Sequence, residues 1–262
     1  MLIRNITKDF KDNTAKELVV ISNAFNYDKA HQASEIEIDD AINNIKDYPH
    51  LFVLACLMDK QIDANRAWAI PVIVCKELCQ NDFRFDALQK LSLEQLKAFF
   101  NEKKLHRFNN DMAEVFYKAI QRIQDVYDGH ANKIWEGDNP SALVVSRFAS
   151  FHGCGPKIAT MATNLLHRIY GVTYKDYSAL DASPDVHVCR VLYRLGQLDQ
   201  TDDTDAVIYR AREINPIYPG LIDKCCWNVG RDYCHPSNPE CNDCPLNKIC
   251  YSNQTQNFVL PK

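Results

Sequence analysis

Four cysteines near the end of the chain concentrate its capacity for chemistry. Cys234, Cys241, Cys244 and Cys250 lie in CHPSNPECNDCPLNKIC, within seventeen residues, with six, two and five residues between successive thiols. Thiolates this close repel one another, so the arrangement calls for a metal ion or an inorganic core to share their charge. Pro236, Pro239 and Pro245 hold the loop open, which suits wrapping a compact core better than closing a helix. Zinc sites are more often built from two pairs with short internal gaps, whereas here one pair is flanked by a lone cysteine on each side. The spacing favours an iron-sulfur core and leaves structural zinc as the competitor.

The other cysteines offer less. Cys75 and Cys79 share a helix face at i and i+4, but with no adjacent histidine or acid they read as packing thiols, as do Cys56, Cys189, Cys225 and Cys226. Cys154 stands apart because it sits in the segment HGCGP, whose Gly153 and Gly155 permit a turn too tight for residues with a Cβ. Such a turn, followed by Lys157 at the start of a helix, would aim backbone N–H groups outward and could bind a phosphate without a basic surface. Taken alone, two glycines between helices equally describe an ordinary helix corner.

The elements that must position these groups read as helix after helix from Glu35 onward, with apolar residues three and four apart and little strand-like alternation. Phe52, Val53, Cys56 and Leu57 follow that spacing, and Trp68, Val72, Val74 and Leu78 do so in a helix that Pro71 should kink. Ser92 and Gln95 form a capping box, and Phe108 to Tyr127 reads as a long amphipathic helix stopped by Gly129. Two helices, about 140–151 and 157–169, flank HGCGP as a hairpin. Further helices open near Asp185, span about 206–214, and run from about Gly220 to Val229 into the cysteine loop.

In that order, FHGCGPKIATMA, PDVHVCRVLYRLG, CCWNVGRDYC and the cysteine loop resemble the endonuclease III branch of the helix-hairpin-helix DNA glycosylase superfamily. The resemblance covers about Asp47 to Cys250 in organisation, with close motif matches at 153–159, 185–190 and 230–250. It implies an all-α fold in two packed helical parts. A helical barrel over 47–169 would contain the hairpin, and an iron-sulfur cluster domain would be built from both chain ends, 1–46 and 170–262, with DNA in the cleft between them.

The resemblance also implies a [4Fe-4S] cluster on the four cysteines and a base-excision glycosylase with AP lyase activity. Lys157 would be the nucleophile that attacks the anomeric carbon, expels the base and holds the opened sugar as a Schiff base. A partly apolar setting would lower its proton affinity. Asp185, after Pro184 at a helix start where the dipole favours a carboxylate, would stabilise the positive sugar or take up a proton. Gln61 would fill the gap left by the extruded nucleotide, and Gly153, Gly155 and His187 would contact the DNA, His187 having packing as its plainer role. Lys224, Arg231 and Lys248 could touch phosphates.

Two departures stand out. The first inter-cysteine loop, HPSNPE, has no arginine or lysine, which puts its DNA-contacting role in doubt. The stretch 171–185 is long and would bring Tyr174, Tyr177 and Asp181 near a base pocket. The alternatives are a glycosylase without lyase activity, with Asp185 activating water, and a non-catalytic iron-sulfur DNA-binding protein.

Composition sets the outer limits. At 46% hydrophobic residues the chain can bury a core, and a net charge of -4 supplies no global basic footprint, so contact with double-stranded DNA bearing a damaged or modified base must be local. No stretch is apolar enough to span a membrane, and eleven cysteines, an odd number without an export signal, argue against disulfides. The expectation is an intracellular monomer, cytoplasmic or nucleoid-associated if prokaryotic.

Overall fold

A computed structural model describes residues 4–25, 36–201 and 203–260. Among these there is no strand, and no helix is long and apolar enough to cross a membrane. The chain divides into two compact units, Met1–Asn26 with Asp176–Lys262, and Tyr27–Lys175.

The unit formed by 27–175 is organised around α3 (Pro49–Met58), all ten residues of which are buried. A helix apolar on every side must be enclosed by others, and α3 packs on α2 (Ile36–Asn43), α4 (Ala64–Leu78), α7 (Asn109–Tyr127) and α9 (Pro156–Arg168). Phe52 is the hub, meeting Trp68, Trp135, Phe148 and Tyr170 edge-on with ring centroids 5.9, 6.0, 6.5 and 5.4 Å away. Such contacts add to what burial of the rings already supplies.

Local signals set the remaining boundaries. α4 starts where the Asp63 carboxylate accepts the Arg66 N–H and runs through Pro71. After the short α5 (Phe85–Leu88), α6 (Leu93–Lys103) opens with both hydrogen bonds of the Ser92–Gln95 capping box, at 2.8 and 3.2 Å. α7 stops at Asp128 and Gly129, both in the left-handed region. α8 (Ser141–Ala149) and α9 form the expected hairpin.

The sequence-based boundary at residue 46/47 is displaced. It assigns α2 to the cluster part, but Ile38 and Ile42 are buried and α2 packs on α3 and α4.

In the other unit the chain ends meet: α1 (Lys8–Ala24) joins α10 (Val186–Arg194), α11 (Thr204–Ile214), α12 (Asp223–Asp232) and α13 (Tyr251–Thr255). Leu18 of α1 packs into one core with Val188, Leu192, Cys226 and Val229. The Arg4 guanidinium donates to the Tyr193 carbonyl at 2.6 Å and lies over the Tyr193 and Tyr251 rings. The helix expected from Gly220 instead begins as a tight turn, Pro219–Ile222, and becomes α-helical at Asp223. Gly230 lets α12 approach α10, since a Cβ there would stand 2.6 Å from the Cβ of His187.

Candidate functional site

The hairpin turn separates its two glycines by role. Gly153 has φ +80°, and a Cβ on it would lie 2.7 Å from a methyl carbon of Val115, so both backbone and packing demand glycine. Gly155 has φ -83° and nothing within 4 Å of where a Cβ would be. The expectation that both glycines serve a tight turn therefore holds for Gly153 alone. The missing side chain of Gly155 leaves open space at the start of α9.

Pro156 follows at the first helical position, where its lost N–H costs no helical bond, and Lys157 comes next, exposed. Its position on the outside of the first turn explains why the expected apolar setting does not form around it. Cys154 is half-buried, and burial pushes its thiol up to about 12.

Gln61 lies in the loop between α3 and α4, exposed and with φ +56°. The left-handed conformation is uncommon for a residue with a side chain and marks the tip of a sharp turn. The loop is held at its base. Phe108 N–H donates to His106 Nδ1 at 3.0 Å, so Nε2 carries the ring proton and donates to the Met58 carbonyl at 3.2 Å. Burial lowers the proton affinity of His106, in keeping with that neutral form. Arg66 Nε donates to the Leu105 carbonyl at 2.9 Å.

Asp185 is the N-cap of α10, and its carboxylate accepts the His187 N–H at 2.9 Å. The His187 ring is used internally: Nδ1 accepts from Arg190 Nη2 at 3.0 Å, and the imidazole meets Trp227 edge-on. Arg190 is buried. It also donates to the Gly230 carbonyl at 2.7 Å and to the Cys234 carbonyl at 2.5 Å. Lys224 and Arg231 lie over the Trp227 ring, at 4.1 and 4.6 Å from its centroid, and Lys248 is exposed.

The side chains singled out in the long stretch before Asp185 are held by specific partners. Tyr174 is buried and its hydroxyl donates to the Thr163 carbonyl, Tyr177 packs on Tyr218, and Asp181 forms a two-pronged ion pair with Arg212 at 2.7 and 2.8 Å.

Cys234, Cys241, Cys244 and Cys250 line one cavity of about 280 Å³, open mouth included, together with Arg194, Tyr233, Pro239, Asn247, Asn253 and Phe258. Among the described residues no three histidine, cysteine or acidic side chains converge as ligands of a single metal ion.

Arg194 provides an independent test of fit. Its buried guanidinium has no carboxylate partner among the described residues, and instead lies 3.2 Å from Cys234 Sγ while donating to the carbonyls of His235, Pro236 and Phe258. A buried cation needs compensating negative charge, which thiolates around an inorganic core would supply. Burial raises the Cys241 and Cys250 thiols and pushes Cys244 up to about 12, the neighbouring thiols adding to the shift. Four thiolates here therefore call for a cationic core. The donor set fits an iron-sulfur cluster.

Three solved structures resemble this one over nearly its whole length. Endonuclease III trapped as a covalent intermediate with DNA, in an estranged-adenine complex, aligns with a TM-score of 0.60 at 17% identity, covering 96% of this chain and 99% of that one. A non-covalent endonuclease III–DNA complex gives 0.59 at 18% identity, covering 96% and 98%. The chain has the endonuclease III fold. A thermostable thymine-DNA glycosylase shares it, with a TM-score of 0.60 at 13% identity over 94% and 98% of the two chains. No family model matches the sequence, and no curated protein matches it.

Within the endonuclease III fold, Gln61, Gly153, Gly155 and Lys157 belong to the unit 27–175, whereas Asp185, His187 and the four cysteines belong to the other. The sequence reading missed Arg190, Arg194 and Asp223. The arginines look like helix-surface cations in the sequence, yet α10 is buried at every position from Val188 to Arg194.

Proposed function

We propose that the protein is a DNA glycosylase of base-excision repair, acting on double-stranded DNA with a damaged or modified base and carrying AP lyase activity. The observation that carries this reading is the placement of Lys157 in the first turn of α9, directly behind the Gly153–Gly155 turn, on an endonuclease III fold. A covalent enzyme–DNA intermediate, the state in which endonuclease III was trapped, is what a lysine nucleophile would form.

In this mechanism the open space at Gly155 lets a phosphate approach the first-turn N–H groups of α9. Gln61, at a loop tip with its base fastened by His106 and Arg66, enters the stack where the target nucleotide has left it. The unprotonated Lys157 amine attacks C1′, and the base departs with the electron pair of the glycosidic bond. After nitrogen loses its proton, the sugar ring opens to a Schiff base between Nζ and C1′. Loss of a C2′ proton then expels the 3′-phosphate by β-elimination. Asp185 offers a carboxylate to the positive charge that develops on the sugar, or accepts the proton of the amine. Cys234, Cys241, Cys244 and Cys250 would hold a [4Fe-4S] cluster, which when bound ties the C-terminal loop together.

A second reading is a glycosylase in which Asp185 activates water and Lys157 contacts DNA; the exposed setting of Lys157 favours it. Borohydride added during reaction with duplex oligonucleotides, each bearing one lesion or an abasic site, separates the two. The lyase reading expects a covalent complex that Lys157→Ala abolishes. Base release with no trapped complex selects the second reading, and binding without release of any base defeats both.

A further inference from the structure

The turn that delivers Asp185 is gripped by a second acid. We propose that Asp223, the first residue of α12, is a positioning residue for Asp185: its carboxyl group anchors the peptide of Ser183, from which Asp185 reaches the N-cap of α10.

Asp223 Oδ1 accepts the Ser183 N–H at 2.9 Å, and the carbonyl of the same Ser183 accepts the Asp185 N–H at 2.7 Å. Ser183 is buried, and Pro184 between the two acids fixes its own φ, so few backbone rotations remain between the anchored peptide and the Asp185 carboxylate. Asp185 then spends one oxygen on the His187 N–H, which sets its direction. An amide or hydroxyl side chain could accept the Ser183 N–H equally well. A carboxyl at this place adds a titrating charge beside Asp185.

Burial, and to a lesser degree the charge of Asp185, push Asp223 up to about 7, against the hydrogen bonding of Ser183 and the charge of Lys224, which act the other way. The groups around it are few. Asp185 faces it from the α10 side and Lys224 and the buried Cys226 thiol from its own helix, with Arg231 and Asp232 acting in turn on Lys224. The turn Pro219–Ile222 carries no titratable side chain, and α1 turns Thr14, Leu18 and Ser22 inward. Near neutrality the Asp223 proton therefore comes and goes. The geometry gives it two duties, fixing the turn and adjusting the field at Asp185.

This inference rests on Asp185 being the essential carboxylate, so the experiment keeps an arm that does not depend on activity. In the full-length protein, Asp223→Ala removes anchor and charge, whereas Asp223→Asn keeps an acceptor and removes only the charge. Amide exchange at Ser183 should quicken about tenfold or more in Asp223→Ala, the equivalent of one lost hydrogen bond, and stay protected in Asp223→Asn. Carboxyl NMR should place the Asp223 titration near 7 and find it lower in Asp185→Asn, where the like charge is gone.

On the lesion substrate, Asp223→Ala should lower kcat about tenfold with KM little changed, and Asp223→Asn should lose the inflection near pH 7 in kcat. Unaltered exchange at Ser183 in Asp223→Ala, or a titration of Asp223 indifferent to Asp185→Asn, overturns the proposal. Wild-type kcat in Asp185→Asn would instead defeat the functional reading of Asp185, with exchange and titration still deciding whether Asp223 holds the turn.

Discussion

Arg190 Nε donates to the carbonyl oxygen of Cys234 at 2.5 Å, which fastens the helix that begins at Asp185 to the first cysteine of the C-terminal loop. The same guanidinium reaches the Gly230 carbonyl and His187 Nδ1, and desolvation lowers its own pKa. Its planar fork, which also reaches the Val186 carbonyl, satisfies four acceptors at once, which a lysine ammonium on a flexible stem does not reproduce.

Arg190→Met should therefore leave the Gly230 and Cys234 carbonyls and His187 Nδ1 short of a donor. An orphaned buried polar group costs about 1–3 kcal/mol. Urea denaturation of the variant should show a loss in that range or above, and its iron content per chain should fall. Arg190→Lys should recover only part of either. Wild-type stability in Arg190→Met would mean that the network is incidental.

The two hairpin glycines should respond oppositely to alanine. Gly153→Ala meets both a left-handed backbone and the methyl carbon of Val115 at 2.7 Å, and is expected to cost about 1–3 kcal/mol in thermal or urea unfolding. Gly155→Ala meets neither and should leave the melting temperature nearly unchanged. Its new methyl group instead occupies the space through which a phosphate would approach, so affinity for duplex DNA should drop. If Gly155→Ala binds DNA as the parent does, the phosphate does not sit there.

Much of this arrangement was legible in the sequence where a local rule had no competitor. The Ser92–Gln95 box, the stop at Gly129 and the Asp185 cap are each set by backbone groups within a few residues, and each lies where the residue pattern puts it. What escaped was set at long range. The Asp223 carboxyl matters because it meets Ser183, forty residues earlier, and no pattern around Asp223 announces that partner. Tyr174 and Asp181 likewise meet Thr163 and Arg212, partners that no local pattern announces. α2 was assigned to the wrong part because its buried face is short and only its neighbours α3 and α4 reveal where it packs.

Removing one cysteine of the C-terminal ring tests the cluster directly. Cys241→Ser takes away one of four sulfurs lining the cavity and leaves Arg194 buried beside a depleted set of thiolates. The wild-type protein is expected to purify brown, with about four irons and no zinc, and the variant to lose colour and iron. The unit 1–26 with 176–262 should lose cooperative unfolding, because a site of this kind contributes folding energy to the loop that surrounds it. A soluble, stable and iron-free Cys241→Ser protein with wild-type activity would show that no cluster is needed, and zinc in the purified wild type would favour the competing metal.

The pH dependence of stability isolates the charge of Asp223 from its anchoring. Its carboxyl titrates at about 7 in the folded chain, against 3.8 for an unperturbed aspartate, so between these limits the folded state holds a proton that the unfolded state has lost. Stability from this group is therefore fully present below pH 3.8 and declines as pH rises towards 7. Asp223→Asn cannot titrate, yet it keeps an acceptor for Ser183. Its stability relative to the parent should be near parity at pH 4, rise in the variant's favour through pH 6, and level off above 7. Lys224, lowered to about 8, works in the opposite sense above that pH, which confines the comparison to the acid side. Urea unfolding at pH 4, 6 and 7.5 measures the difference. A gap between variant and parent that stays constant over this range would show that Asp223 titrates as an ordinary surface carboxylate.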